Sequence, residues 1–380
     1  MNDTERLTAL ESRLKSLEGL DKETFDRVSA ALDQSQGRLG YDAQGRLKLA
    51  FFDAKSYDMA SFDRANADRY DLHYISAALD RDTADAARGH KAVCIFVNDV
   101  CDAAVVETLA AHGVEMVALR CAGFNNVDLA ACEASGISVV RVPAYSPYAV
   151  AEHTIGLMLM LNRHLHHAYI RNRHGYFVLD GLTGFDMHGK IVGVAGTGKI
   201  GQCVIDILLG FGCKVLAFDA FPNPAVSAMV GVDYVESDQL LSLSDIITLH
   251  VPLTPDTRHM IDRSAIARMK DGVMLINTSR GELVDTRALI EGLKSGKIGA
   301  AGLDVYEEEA GIFFHNLSHK VLTDDVLARL MSFNNVVVTS HQAFLTHEAL
   351  SNIADTTLQN LGEFSEGKRG AELTNAVRLS

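Results

Sequence analysis

The stretch Ile191-Val192-Gly193-Val194-Ala195-Gly196-Thr197-Gly198-Lys199-Ile200-Gly201 decides how this chain is read. An apolar run leads into Gly-x-Gly-x-x-Gly, and a helical pattern from Ile200 to Phe211 leads out. The glycines alone say little, because glycine is common in loops. A strand, a glycine turn and a helix in this order make the phosphate-binding corner of a dinucleotide fold. Gly196 permits the tight turn, Gly198 lets the backbone approach a pyrophosphate, and Gly201 lets helix and strand pack closely. Backbone N–H groups along Thr197-Gly198-Lys199-Ile200 would then face the phosphates. The next strand, Lys214–Phe218, is followed by Asp219, 18 residues after Gly201. A carboxylate there can accept hydrogen bonds from both ribose hydroxyls of NAD and would repel the extra phosphate of NADP. The following Ala220-Phe221-Pro222-Asn223 offers no arginine to neutralise that phosphate.

Further strands flank this corner at Asp245–Leu249, Val273–Ile276, Ala300–Leu303 and Val336–Val338, with helices between. An earlier set reads the same way: Lys48–Phe52, Val93–Val97, Met116–Leu119 and Ser138–Val142, with helical stretches near 57–69, 102–112 and 126–135. Unbroken apolar runs of this kind belong to parallel strands covered on both faces. The expected fold is α/β, with two doubly wound parallel-sheet domains (Rossmann- or flavodoxin-like) and a cleft between them. Ala149–Leu161 is apolar nearly all round, so it should be buried on several sides, at a seam between domains or subunits. The helix after His341 carries Leu350, Ile353 and Leu358 and should return the chain to the first domain. That gives 47–146 with 343–380 as a discontinuous substrate domain and 147–342 as the nucleotide domain. Residues 1–46 form an extension, in which Leu7, Leu10, Leu14 and Leu17 make one helical stripe.

The formal charge of −14 makes nucleic acid a poor partner, because an acidic surface repels phosphate backbones. No apolar run is long enough to span a membrane, and the start has neither a secretory nor a transit pattern, so a cytoplasmic protein is expected. None of the six cysteines forms a Cys-x-x-Cys pair, which suits reduced thiols; Cys121 is the one placed in a loop expected at the site. His164, His166, His167 and His174 cluster without a zinc spacing, and no metal is expected.

Ligands of open parallel sheets bind at the carboxyl ends of the strands. There the second domain collects His250-Val251-Pro252, Asn277-Thr278-Ser279-Arg280, Asp304 and Ser340-His341, with Glu309 shortly after Asp304. Arg280 has a planar fork that can grip a carboxylate with two hydrogen bonds. His341 can donate a proton to a carbonyl oxygen as hydride arrives, and take it back in the reverse direction. One carboxylate of the run Glu307-Glu308-Glu309 can hold its other ring nitrogen; spacing does not select which. Asp304 could orient a nicotinamide carboxamide. The set suits hydride transfer to a 2-keto acid.

Around these residues the chain resembles the D-isomer-specific 2-hydroxyacid dehydrogenases and, within them, the fermentative D-lactate dehydrogenases. The likeness covers about residues 47–365. It rests on Leu119-Arg120-Cys121-Ala122-Gly123-Phe124-Asn125-Asn126-Val127-Asp128, Val142-Pro143-Ala144-Tyr145, Gly196 to Gly201, Asn277-Thr278-Ser279-Arg280-Gly281-Glu282-Leu283-Val284-Asp285, Gly302-Leu303-Asp304-Val305-Tyr306-Glu307 and His341-Gln342-Ala343-Phe344. The resemblance implies a catalytic set of Arg280, Glu309 and His341, and so selects Glu309 from its run. It implies that backbone N–H groups near Ala122 and Gly123 bind the substrate carboxylate, that Tyr145 helps place the substrate, and that Phe96 and Phe344 wall its methyl group. Bulky walls favour a small side chain, hence pyruvate. The resemblance also implies the D configuration, NAD as cofactor, and a homodimer or homotetramer. The alternatives are a dehydrogenase for another small 2-keto acid, and an NAD-sensing binding protein like the carboxy-terminal-binding corepressors.

Overall fold

The computed structural model describes residues 40–378. The leucine stripe expected at residues 7–17 lies outside the described residues. Residues 40–46, expected to close the extension, already belong to the body. Tyr41 pairs with Leu47 and Gly40 with His90, and Asp42 Oδ1 accepts from the backbone of Gln44 and Arg46 to close the turn.

Two compact units make up the described chain: one runs to Tyr145 and resumes at Leu350, and the other is Ser146–Ala349. The first is built on five parallel strands, β1 (Lys48–Phe51), β2 (Asp71–Tyr74), β3 (Ala92–Ile95), β4 (Met116–Leu119) and β5 (Ser138–Val140), in the order β2-β1-β3-β4-β5. The second has seven, β6 (Ile191–Ala195), β7 (Lys214–Phe218), β8 (Val232–Tyr234), β9 (Ile246–Leu249), β10 (Val273–Asn277), β11 (Ile298–Leu303) and β12 (Val336–Val338), in the order β12-β11-β10-β9-β6-β7-β8. Every strand pairing in both sheets is parallel. These are the flavodoxin-like and Rossmann-like orders expected of doubly wound sheets.

Strands β3, β4, β9 and β10 are buried along their whole length, as their unbroken apolar runs require. The second sheet has an apolar cluster on each face. One gathers Leu275, Ile247, Leu289 and Ile298; the other gathers Ile276, Val194, Ile205 and Met158. Each such side chain contributes about 1.5–3 kcal/mol on burial. The Ala149–Leu161 stretch forms the helix Pro147–Asn162, started by Ser146, whose hydroxyl accepts from the Ala149 N–H. It is not buried all round: Glu152 and Gly156 are exposed, while Ala151, Ile155, Leu157 and Met158 pack into the second cluster. It is therefore an integral helix of the second unit.

The second unit also keeps more of the chain than the sequence suggested. The return to the first unit falls at Leu350, inside the helix His347–Ser365, and not at 343. The cause is Asp304, whose carboxylate binds the backbone N–H groups of Gln342 and Ala343 and so keeps them, and Phe344 after them, with the second sheet. Among the described residues, no helix is long and apolar enough to cross a membrane.

Candidate active site

In the second unit the chain runs outward from β6 to β7 and β8, then crosses to the other side at β9. The carboxyl ends of β6 and β9 therefore lie side by side at the point where the strand order reverses. Gly196 leaves β6 with φ 97°, and a Cβ there would lie 2.5 Å from the carbonyl of His250. Both backbone conformation and space demand glycine. A Cβ on Gly201 would lie 2.0 Å from the Gly196 oxygen, so helix Lys199–Gly210 can begin here only without a side chain. Gly198 is different: a Cβ would meet nothing within 4 Å. The protein does not need glycine at 198 for its own packing. The space lies beside the first turn of the helix, whose N–H groups have no intrahelical partner.

Asp219 follows β7 and is held in place. Its Oδ2 accepts from Thr197 N at 2.7 Å and Thr197 Oγ1 at 3.0 Å, and its Oδ1 from Phe221 N at 2.9 Å. Tyr234, on the edge strand β8, donates to Thr197 Oγ1 at 2.8 Å. Burial pushes the Asp219 carboxyl up, but these donors outweigh it and hold its pKa below the usual carboxylate range. Thr197 is thus a brace for Asp219, a role the sequence reading missed; Lys199 is exposed. His250 sits on the other side of the turn, with Nε2 2.9 Å from Thr248 Oγ1, and burial keeps its pKa far below the ordinary histidine range. Val251 presents its carbonyl to Ser279 Oγ at 2.7 Å, and Pro252 its carbonyl to Thr257 Oγ1. Thr278 is buried against Thr154, with hydroxyls 2.9 Å apart.

Arg280 emerges beyond β10. The buried Asn277 fixes its backbone, with Nδ2 donating to the Arg280 carbonyl at 2.8 Å and Oδ1 accepting from Ser279 N. Gly281 follows because the chain passes against Tyr306, where a Cβ would lie 2.1 Å from the Tyr306 carbonyl carbon. The guanidinium uses Nη1 on the Ser279 carbonyl at 2.7 Å. Among the described residues no carboxylate pairs with it, so the rest of its donor fork is left for a ligand.

His341 lies beyond β12, two strands from Arg280, or about 10 Å at the usual strand spacing. Its Nδ1 is 2.8 Å from Glu309 Oε1. A carboxylate can only accept, so Nδ1 carries the hydrogen and Nε2 is the nitrogen free to exchange a proton. The neighbouring acids have other partners: Glu307 binds His259 Nε2 at 2.7 Å and Thr286, and Glu308 is exposed. Tyr306 N steadies Glu309 by donating to Oε2. His341 itself has φ 53°, a left-handed backbone that non-glycine residues seldom adopt. Asp304 enforces it. Its carbonyl accepts the His341 N–H at 2.6 Å, and its fully buried carboxylate accepts from Gln342 N, Ala343 N and Thr339 Oγ1. His153 adds a contact at 3.4 Å. Burial pushes the Asp304 carboxyl up, but these donors more than offset it, so its pKa lies below the ordinary value. Asp304 was expected to face the cofactor; what it does in this structure is clamp the loop that carries His341.

In the first unit, the loop after β4 carries Ala122 and Gly123. Neither the Ala122 nor the Gly123 N–H donates to a described residue, while their carbonyls accept from Arg141 Nη1 at 3.0 Å and Cys121 Sγ at 3.3 Å. Phe96, expected as a substrate wall, is 6% exposed, and its ring centroid lies 4.9 Å from the guanidinium of the buried Arg120. Asn352 donates to the Tyr145 carbonyl. Phe344 is buried in the second unit. His166 and His167 turn their Nε2 atoms to the Asn334 carbonyl.

A family model described as the NAD binding domain of D-isomer specific 2-hydroxyacid dehydrogenases matches residues 155–343. The D-lactate dehydrogenase of Escherichia coli K12 is 51% identical over 323 residues, 85% of this chain and 98% of that protein. The chain belongs to the D-isomer specific 2-hydroxyacid dehydrogenase family. Solved structures agree. The apo form of Escherichia coli D-lactate dehydrogenase is similar with a TM-score of 0.79 and 49% identity, covering 87% of this chain and all of that one. A structure reported as identifying the pyruvate reductase of Chlamydomonas reinhardtii is similar with a TM-score of 0.82 and 47% identity, covering 89% and 99%.

The dehydrogenase is NAD-dependent, as its family domain implies. Its own residues fit that cofactor: space beside Gly198 for a pyrophosphate, unpaired N–H groups at the start of the Lys199–Gly210 helix, and a braced, ionised Asp219 for the ribose.

Proposed function

We propose that this dehydrogenase reduces pyruvate to D-lactate with NADH, reversibly. NAD supplies the hydride chemistry when bound. Gly196, Gly198 and Gly201, with the N–H groups of Lys199 and Ile200, would hold its pyrophosphate, and Asp219, braced by the Thr197 N–H, its adenine-side ribose. His250, Val251, Pro252, Thr278 and Ser279 would line the crevice between β9 and β10.

Arg280 would grip the keto-acid carboxylate, with the Ala122 and Gly123 N–H groups donating to the same anion. Such fixed placement supplies a large share of the rate. Protonated His341 would give its Nε2 proton to the carbonyl oxygen, while Glu309 keeps Nδ1 tethered and stabilises the charge. In lactate oxidation the neutral ring would accept the hydroxyl proton at the same nitrogen. Tyr145 would help place the substrate, and Phe96 and Phe344 would wall off its methyl group. The single observation that carries this reading is the 2.8 Å His341–Glu309 pair on a loop clamped by buried Asp304. It is the acid–base device that proton transfer at a carbonyl requires.

The test is a survey of 2-keto acids with NADH. The expected result is a kcat/KM for pyruvate well above that for branched, bulkier keto acids. Preference for a branched acid would make it a dehydrogenase of another substrate, and NADH binding without turnover of any acid would make it a sensor.

Self-association into a homodimer or homotetramer has support in Tyr169, Ile170, Phe177 and Leu179, which are 54–78% exposed within one short stretch of the second unit. Six unbridged cysteines suit a reducing compartment such as the cytoplasm.

A further inference from the structure

Away from the residues above, the first unit contains a cavity of about 400 Å³ between helix Leu129–Ala134, strand β5 and the C-terminal segment. Leu129 and Ile137 make its wall apolar. Arg369, Arg378 and one acid, Glu133, line it as well. At its floor is Cys132, 1% exposed. Cys101, fully buried and outside the cavity lining, neighbours it, and the two side chains are in contact. The backbone fixes this meeting. The Cys101 carbonyl accepts from Asp128 N, and the Asp128 carbonyl accepts from Cys132 N, so both cysteines hang from one residue. The proposed reaction does not use this pair.

We propose that Cys132 is a thiol–disulfide exchange site for small anionic disulfides entering this cavity, and that Cys101 resolves the product into a Cys101–Cys132 bridge. In the first step the Cys132 thiolate attacks one sulfur of the disulfide. A protein–ligand S–S bond forms, the ligand's own S–S bond breaks, and one thiolate leaves. In the second step Cys101 loses its proton to solvent and attacks the Cys132 sulfur, expelling the second ligand thiolate. Two protein thiols are oxidised, and one disulfide is reduced to two thiols.

The division of roles follows from position. Cys132 borders the cavity, whereas Cys101 is fully buried and does not line it. Contact with Cys101 holds the Cys132 thiol below the ordinary range, against burial and nearby Asp128, which push it up. The same contact and burial push Cys101 up. An attacking thiol of lowered pKa beside a protonated resolving thiol is the usual order in such exchange. Arg369 is already paired with Glu115, so Arg378, which has no carboxylate partner among the described residues, is the cation that favours a disulfide carrying carboxylates.

The test uses the full chain, glutathione disulfide as the anionic probe and cystamine as the cationic one, with non-reducing peptide mapping as the readout. Wild type should yield the Cys101–Cys132 linked peptide, several-fold faster with glutathione disulfide. Cys101→Ser should stop at a glutathione adduct on Cys132, and Cys132→Ser should give neither product. Three results would each overturn the proposal: labelling confined to half-exposed Cys203, a glutathione adduct on Cys101 in Cys132→Ser formed as fast as the wild-type product, or faster reaction with cystamine. If Cys132→Ser fails to fold, the site of the adduct in Cys101→Ser decides. Turnover is not measured, so the result is independent of the substrate.

Discussion

His341 has a backbone conformation that its side chain disfavours, and it stays there because buried Asp304 holds the residues on both sides. Strain of this kind costs on the order of 1–3 kcal/mol and persists only where the surroundings over-determine it. Asp304→Asn would turn an amide NH₂ towards either the Gln342 or the Ala343 N–H. The variant should lose about 1–3 kcal/mol of stability by denaturant titration, and kcat should fall as the loop relaxes. An unchanged kcat at lowered stability would confine Asp304 to folding. His341→Ala should cost on the order of 10²–10⁴ in kcat. Arg280→Lys should lower kcat/KM for pyruvate by roughly 10–100-fold, because a point charge cannot reproduce a two-pronged grip worth about 1.5–3 kcal/mol. Unaltered kinetics would remove Arg280 from the site. Asp219→Ala should relax the preference for NADH over NADPH, measured as the ratio of kcat/KM values.

Among the elements, the turn after β6 is the most tightly specified. Gly201→Ala would put a methyl group 2.0 Å from the Gly196 oxygen, so the helix must shift. The expected cost is about 1–3 kcal/mol, together with weaker NADH binding measured by fluorescence titration. Wild-type affinity in that variant would mean the turn tolerates displacement. The sequence read such buried elements well, because a strand covered on both faces must be apolar throughout. Met116–Leu119, buried throughout, is placed to the residue, and so are Lys214–Phe218 and Val336–Val338, whose residues, Lys214 apart, are all apolar. It missed the edge strands β2 and β8, where Asp71, His73 and Asp233 break the apolar run, whereas the edge strand Val336–Val338 is valine throughout. At the site, the residues that would meet ligands were legible from their chemistry at strand ends. The bracing roles were not. Thr197, Asn277 and Asp304 stand in the quoted motifs, but they brace their neighbours through hydrogen bonds to the backbone or, for Thr197, to Asp219, which no local pattern announces. Glu309 could not be told from Glu307 by spacing; folding separates them by giving Glu307 to His259.

The stability of the whole molecule should depend on pH through His250, whose pKa desolvation at its partly buried position pushes well below the usual histidine range. An unfolded chain binds a proton there below about pH 6.5, and the folded one does not. Stability should therefore fall with acidification below about 6.5, with a slope approaching 1.4 kcal/mol per pH unit from this group. His250→Gln should flatten that limb in urea titrations. Asp219 adds a loss at lower pH: its folded pKa is depressed, so its contribution is present above about 3.9 and fades as pH falls through the folded value. Both terms concern the nucleotide-binding unit, so bound NADH should protect against acid by mass action.

The most direct measurement mixes the full chain with NADH and pyruvate, follows the loss of NADH absorbance, and determines the configuration of the lactate formed. Stoichiometric conversion to the D enantiomer, abolished in His341→Ala, is the predicted result. The L enantiomer, or no oxidation by folded protein that binds NADH, would contradict the account.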